Sequence, residues 1–150
     1  MKSMLAEVKA HQKEALFRLL QYSLFEESLT DLNEMKDDAL FEYPYFDAYF
    51  EEPEREAYFI REQNTNKLLG FAMIRAHDGR HSIAEFMVLP KYRRQSVGTQ
   101  AAKACFSLHD GLWEVKPAYG STTAKYFWQH VIGQSALQYE WKEDRFFFKT

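Results

Sequence analysis

The residues of this 150-residue chain best suited to chemistry lie in Ile83–Leu108, IAEFMVLPKYRRQSVGTQAAKACFSL. An apolar run ends at Pro90, a basic turn follows with Lys91, Arg93 and Arg94, and Ser96-Val97-Gly98-Thr99 opens a helix. The helix is read from Val97, Ala101, Ala104, Cys105 and Leu108, which fall on one stripe at a 3.6-residue period. The first N–H groups of a helix have no partner within it, and its dipole favours negative charge at that end. A strand, a basic loop and a helix N-terminus in this order form an anion site, and here a cradle for a pyrophosphate. It is not a P-loop, because Gly98 lacks the following Lys and Ser or Thr.

Elements on either side must hold that loop. Met4–Val8 alternates as an edge strand, and apolar positions from Leu16 to Phe25 give an amphipathic helix over His11–Ser28. Ser28–Asp38 is polar, a loop or a frayed helix end, and the ring-crowded FEYPYFDAYF at Phe41–Phe50 is a short helical cap or the aromatic wall of a pocket. Arg55–Arg61 and Leu68–Ala76 are strands around a turn at Glu62–Lys67, with Gly70 a bulge or a close backbone approach. HDGRH turns the chain into a fourth strand, Ser82–Leu89; Leu112–Lys116 is a fifth. Ser121 or Thr122 caps a second long helix carrying Ala124, Phe127, Trp128 and Val131, which Gly133 ends. Ala136–Trp141 and Arg145–Lys149 close the chain as a hairpin, and the exposed rings at Phe146–Phe148 suggest a dimer through the last strand.

Length sets one domain over residues 1–150. A 46% apolar composition with 13 Phe, 9 Tyr and 3 Trp marks a globular chain with a ring-rich core. Cys105 is the single cysteine, which fits a reducing compartment, and no signal peptide or apolar run of membrane-spanning length is visible. The expectation is a cytoplasmic protein with no membrane partner. Net charge is −3, which argues against nucleic acid, but Glu26–Glu56 holds twelve acids against Lys36 and Arg55 alone. That segment is a solvated face, an acidic rim attracting a cationic amine, or both. His77, His81 and Glu85 do not make a metal set, since Gly79 puts the histidines in a turn and no third soft ligand is near; no metal is expected.

Ile83–Thr99 resembles the acetyl-CoA motif of the GNAT N-acetyltransferase superfamily: a strand, V-x-P-x-Y-R, R/Q-x-x-G-x-G/A, then a helix. Here it stands as Val88-Leu89-Pro90-Lys91-Tyr92-Arg93 and Arg93-Arg94-Gln95-Ser96-Val97-Gly98. The family's N-x-x-A-x-x-F/L-Y helix is echoed by Ser121-Thr122-Thr123-Ala124-Lys125-Tyr126-Phe127-Trp128. The set EFMVLPKYRR, WEVKP and AKYFWQHVI further resembles a subgroup of small bacterial predicted acetyltransferases. The resemblance implies an α/β (α+β) fold with a mixed, mostly antiparallel sheet of about six or seven strands flanked by helices on both faces.

It further implies acetyl-CoA as co-substrate, a small or peptidyl amine as acceptor, and a monomer or homodimer. The pyrophosphate would lie on the loop of Arg93, Arg94, Gln95, Ser96, Val97, Gly98 and Thr99, and the pantetheine arm along Met87 and Val88, with Ser121 and Trp128 beside it. Glu85 becomes the candidate general base, its carboxyl raised by burial toward a useful pKa; its other reading is a structural carboxylate paired with Arg75 or Arg80. Three positions depart from the family pattern: Ser96 replaces a Gly, Ser121 an Asn, and Trp128 the Tyr that serves as acid. An indole N–H cannot deliver a proton at neutral pH, so no acid is assigned. The alternative to an enzyme is a non-catalytic CoA-binding or interaction module of the same fold.

Overall fold

The structure, a computed structural model, describes residues 2–150. Seven strands make one sheet: β1 (Ser3–Glu7), β2 (Arg55–Glu62), β3 (Leu68–His77), β4 (Arg80–Val88), β5 (Leu112–Val115), β6 (Tyr139–Lys142) and β7 (Arg145–Lys149). Their order is β1-β2-β3-β4-β5-β7-β6, antiparallel throughout except for the β4–β5 pair. Four helices cover it: α1 (Lys13–Glu27), α2 (Ala48–Glu51), α3 (Val97–Ser107) and α4 (Thr122–Ser135). The expected mixed, mostly antiparallel sheet is therefore present with seven strands. Among the described residues no helix is long and apolar enough to cross a membrane.

The two faces of the sheet bury different residue sets. Leu16, Leu19, Leu20 and Leu24 of α1, with Phe41, Phe46 and Tyr49 from the α2 region, pack on Phe59, Phe71, Met73 and Met87. Ala102, Cys105 and Phe106 of α3 and Trp128, Val131 and Ile132 of α4 pack on Ala72, Ile74, Ile83, Trp113 and Phe146. The ring-rich segment thus mostly finishes the core, although its helix is only four residues long. Gly70 is a close approach, since a Cβ there would run into the Met87 carbonyl; the neighbouring register shift makes Leu69 a bulge.

Three expectations fail. The sequence reading ends α4 at Gly133, yet the helix runs through it to Ser135, because one glycine lowers helix propensity without breaking the hydrogen-bond ladder. Phe146 and Phe148 are buried, and β7 lies inside the sheet between β5 and β6. The last strand therefore offers no dimerising edge, and the free edge on that side is β6.

Candidate functional site

The site is made by β4 outlasting its neighbour. β4 and β5 pair only at His81–Trp113, Ser82–Glu114 and Ile83–Val115. β5 then stops at Val115, ahead of Pro117, while β4 continues to Val88. The divergence coincides with a bulge: Met73 faces Glu85 and Ile74 faces Ile83 across β3–β4, leaving Ala84 as the extra residue and re-aiming Glu85. The resulting wedge holds a cavity of about 670 Å³ whose walls include Met87, Val88, Arg93, Arg94, Ser96, Gly98, Thr99, Ser121 and Trp128. Gln95 and Val97 are not in its lining. Gln95 donates its amide to the Lys91 carbonyl, and Val97 is buried with Ile60, Leu69, Val88 and Ala101.

At one end of the cavity stands the basic loop. Arg94 and Ser96 both take left-handed backbone, with φ of 61° and 65°. Ser96, the N-cap residue of α3, makes no side-chain cap bond, so the first amides of the helix are left for a ligand. A left-handed serine is strained by about 1–2 kcal/mol, which explains why a glycine suits this place. Gly98 meets α4 closely: a Cβ there would lie 3.1 Å from the Phe127 ring. Arg93 is engaged elsewhere, donating Nε to the Val88 carbonyl at 2.8 Å and forming a two-pronged pair with Glu26 at 2.6 and 3.0 Å. It braces the end of β4 against α1.

The other end holds two carboxylates. A second cavity of about 160 Å³, sharing Glu27, Phe86, Ala118, Ala124 and Trp128 with the first, is lined by Glu85. Burial, and then the Glu27 charge, push the Glu85 carboxyl up to about 8; the Tyr43 hydroxyl, donating to Glu85 Oε2 at 3.3 Å, opposes this. Burial, with Asp31 next, raises Glu27 to about 7. Glu85 has no ion pair with Arg75 or Arg80 among the described residues; Arg80 lies over the Phe147 ring instead. Burial likewise drives Tyr43 well above the ordinary phenol range, so it remains a neutral donor. The nearby Tyr49 hydroxyl is buried without a hydrogen-bond partner among the described residues.

Trp128 packs edge-on to Phe86 and Phe127 with little exposure, and Ser121 caps α4 by accepting the Ala124 N–H at 3.1 Å. The mouth of the wedge is bridged: the Thr30 hydroxyl, beyond α1, donates to the Tyr119 carbonyl in the loop after β5, and a Cβ on Gly120 would lie 3.0 Å from the Thr30 side chain. Sequence reasoning missed Glu27 and Tyr43. Glu27 reads there as one acid among twelve, and only the divergence of β4 from β5 brings it beside Glu85.

The model of the acetyltransferase (GNAT) family matches residues 21–111, more than half of the chain and the part that holds the loop, both carboxylates and the β4 side of the wedge. The chain belongs to the GNAT family. Solved structures share the fold. A GNAT-family acetyltransferase from Staphylococcus aureus Mu50 superposes with a TM-score of 0.65 at 14% identity, covering 98% of each chain. An acetyltransferase from Thermus thermophilus gives 0.68 at 15% identity, over 100% of this chain and 98% of the other. Spermidine N-acetyltransferase from Vibrio cholerae, solved with CoA and spermine, gives 0.66 at 6% identity, covering 99% and 95%. No curated protein matches the chain.

Proposed function

We propose that this GNAT-family chain is an acetyl-CoA-dependent N-acetyltransferase, a single cytoplasmic domain over residues 1–150 that acetylates a cationic small-molecule or peptidyl amine in a ternary complex. The observation that carries the reading is one wedge with helix amides free of side-chain caps at one end and two buried carboxylates at the other. The donor set fits the co-substrate. Amides of Ser96–Thr99 and the Arg94 charge suit a pyrophosphate, and the Met87, Val88, Phe127 and Trp128 walls suit an apolar arm. When bound, acetyl-CoA supplies an activated acyl thioester.

The chain's own residues supply the proton chemistry. An amine reaches the site as an ammonium and must lose a proton before it can attack. Glu85 in its ionised form takes that proton; at about 8 it is a stronger base than an ordinary glutamate, and its ionised share grows as pH rises. Glu27, raised by burial to about 7, lies beside it, and negative charge on either carboxylate attracts the cation. Asp31 and Glu34 extend that field into a neighbouring hollow of about 410 Å³ with Phe25, Leu32 and Met35, which suits a cationic acceptor bearing apolar groups. Trp128 packs and shapes the wedge, and no side chain is needed as acid because a thiolate is a tolerable leaving group.

The alternative, a CoA-binding module without turnover, draws on Trp128 and on the Ser121 hydroxyl already engaged as a cap. Calorimetry with acetyl-CoA and CoA, followed by thiol-release assays over polyamines and lysine peptides, separates them. The enzyme reading expects micromolar binding that collapses in Arg94→Glu, and release with at least one amine. Binding without release from any amine supports the module, and no binding at millimolar acetyl-CoA overturns both.

A further inference from the structure

A second cluster lies at the opposite end of α3, far along β4 from the wedge. Glu56 of β2, His81 of β4 and His109, two residues beyond α3, each present one ligand atom, and these atoms lie within 4.8 Å of one another. The register explains the meeting: Glu56 pairs with Ile74, which pairs with Ile83, so Glu56 and His81 project from the α3 side of the sheet. We propose that Glu56, His81 and His109 bind one divalent transition-metal ion, with zinc as the best fit.

The donor types and their surroundings support this. Two imidazoles and a carboxylate suit zinc at about 2.0–2.2 Å, and three protein ligands leave a fourth position for water. Donors around such an ion stand about 3.4 Å apart, so the cluster needs a small closure together with the turning of one ring. The carboxylate is held from behind: Tyr58 donates its hydroxyl to Glu56 Oε1, leaving Oε2 for the cluster, where it meets His109 Nε2 at 2.6 Å. The backbone of His109 is fixed by Trp113 Nε1 and Thr150 Oγ1, both donating to its carbonyl. The carboxyl end of α3 adds a partial negative charge nearby. All three ligands are partly exposed, so an ion has access. The imidazole rings stack at 3.9 Å with planes 6° apart, and coordination turns one of them so that both lone pairs converge.

This inference is independent of the acetyl-transfer reading, and its test measures metal directly. Zinc is titrated into the full chain by calorimetry, alongside Glu56→Gln, His81→Ala, His109→Ala and Tyr58→Phe. One ion per chain with micromolar affinity is expected. Each ligand variant should weaken binding by more than about 100-fold and Tyr58→Phe by about 10–100-fold. Because a variant can misfold, ring ¹⁵N resonances of the unaltered protein are followed with zinc: those of His81 and His109 should shift while His11, His77 and His130 stay put. No uptake at millimolar zinc, uptake that survives all three ligand variants, or shifts confined to the other histidines would overturn the proposal and leave the cluster a stacked pair pinned by Glu56.

Discussion

β4 lives in two environments along nine residues. From His81 to Ile83 it is paired on both sides, and aromatic rings cover it: His81 stacks on His109 and tilts against Trp113, which is fully buried. From Glu85 to Val88 it keeps β3 but loses β5, and the freed edge faces two adjoining cavities with two strained loop residues and two carboxylates. The same strand and the same α3 serve both ends. The difference teaches that the reactive end arises from stopping a neighbour early and inserting one bulged residue, not from unusual residue types.

The sharpest way to break that contrast is chemical. Glu85→Gln keeps the shape of the open end but removes the base proposed for it, and kcat/KM at neutral pH should fall by about 10²–10⁴-fold while acetyl-CoA affinity stays nearly constant. Steady-state kinetics beside calorimetry checks this, and an unchanged rate would remove Glu85 from the chemistry. Gly70→Ala attacks the backbone contact that seats Val88 and Met87; forcing a Cβ into a carbonyl should cost at least about 3 kcal/mol, read as a lower denaturant midpoint.

A smaller effect sharpens the comparison by pH. Glu27 and Glu85 have folded-state values raised to about 7 and about 8. The native state therefore holds protons that the unfolded chain releases near 4.5. Stability should fall as pH rises from about 5 to 8, and in Glu27→Gln and Glu85→Gln that decline should flatten. Urea unfolding across this range decides it; identical slopes in all three proteins would mean that the pair is not proton-holding. The smallest effect is a gain. Ser96→Gly relieves a left-handed residue and should stabilise the fold by about 1 kcal/mol, seen as a raised melting temperature.

The loop and α3 were legible in the sequence because an amide cradle has a local pattern: Pro90, the arginines and a helix start in fixed order. Strand and helix positions were legible wherever one face is buried, as in α1 and β3. What depends on pairing was not. Ala84 as a bulge, Arg93 tied to Glu26 and the Val88 carbonyl, and Glu27 beside Glu85 all require two segments to meet in space. Glu56, His81 and His109 escaped for the same reason, since they come from three elements and share no spacing. The closing hairpin misled because three consecutive rings, Phe146–Phe148, read as an exposed edge when the neighbouring strand is not known.

The contact between Thr30 and the Tyr119–Gly120 segment changes the topology of the open end. A wedge shut at its apex by strand pairing and at its mouth by that contact is a ring. An elongated molecule held in it must be threaded lengthwise or wait for the ring to open. Under the proposed acetyl transfer, release of a long product would wait on the parting of two loops, so turnover would respond to solvent viscosity and to a reversible staple between them even when chemistry is fast.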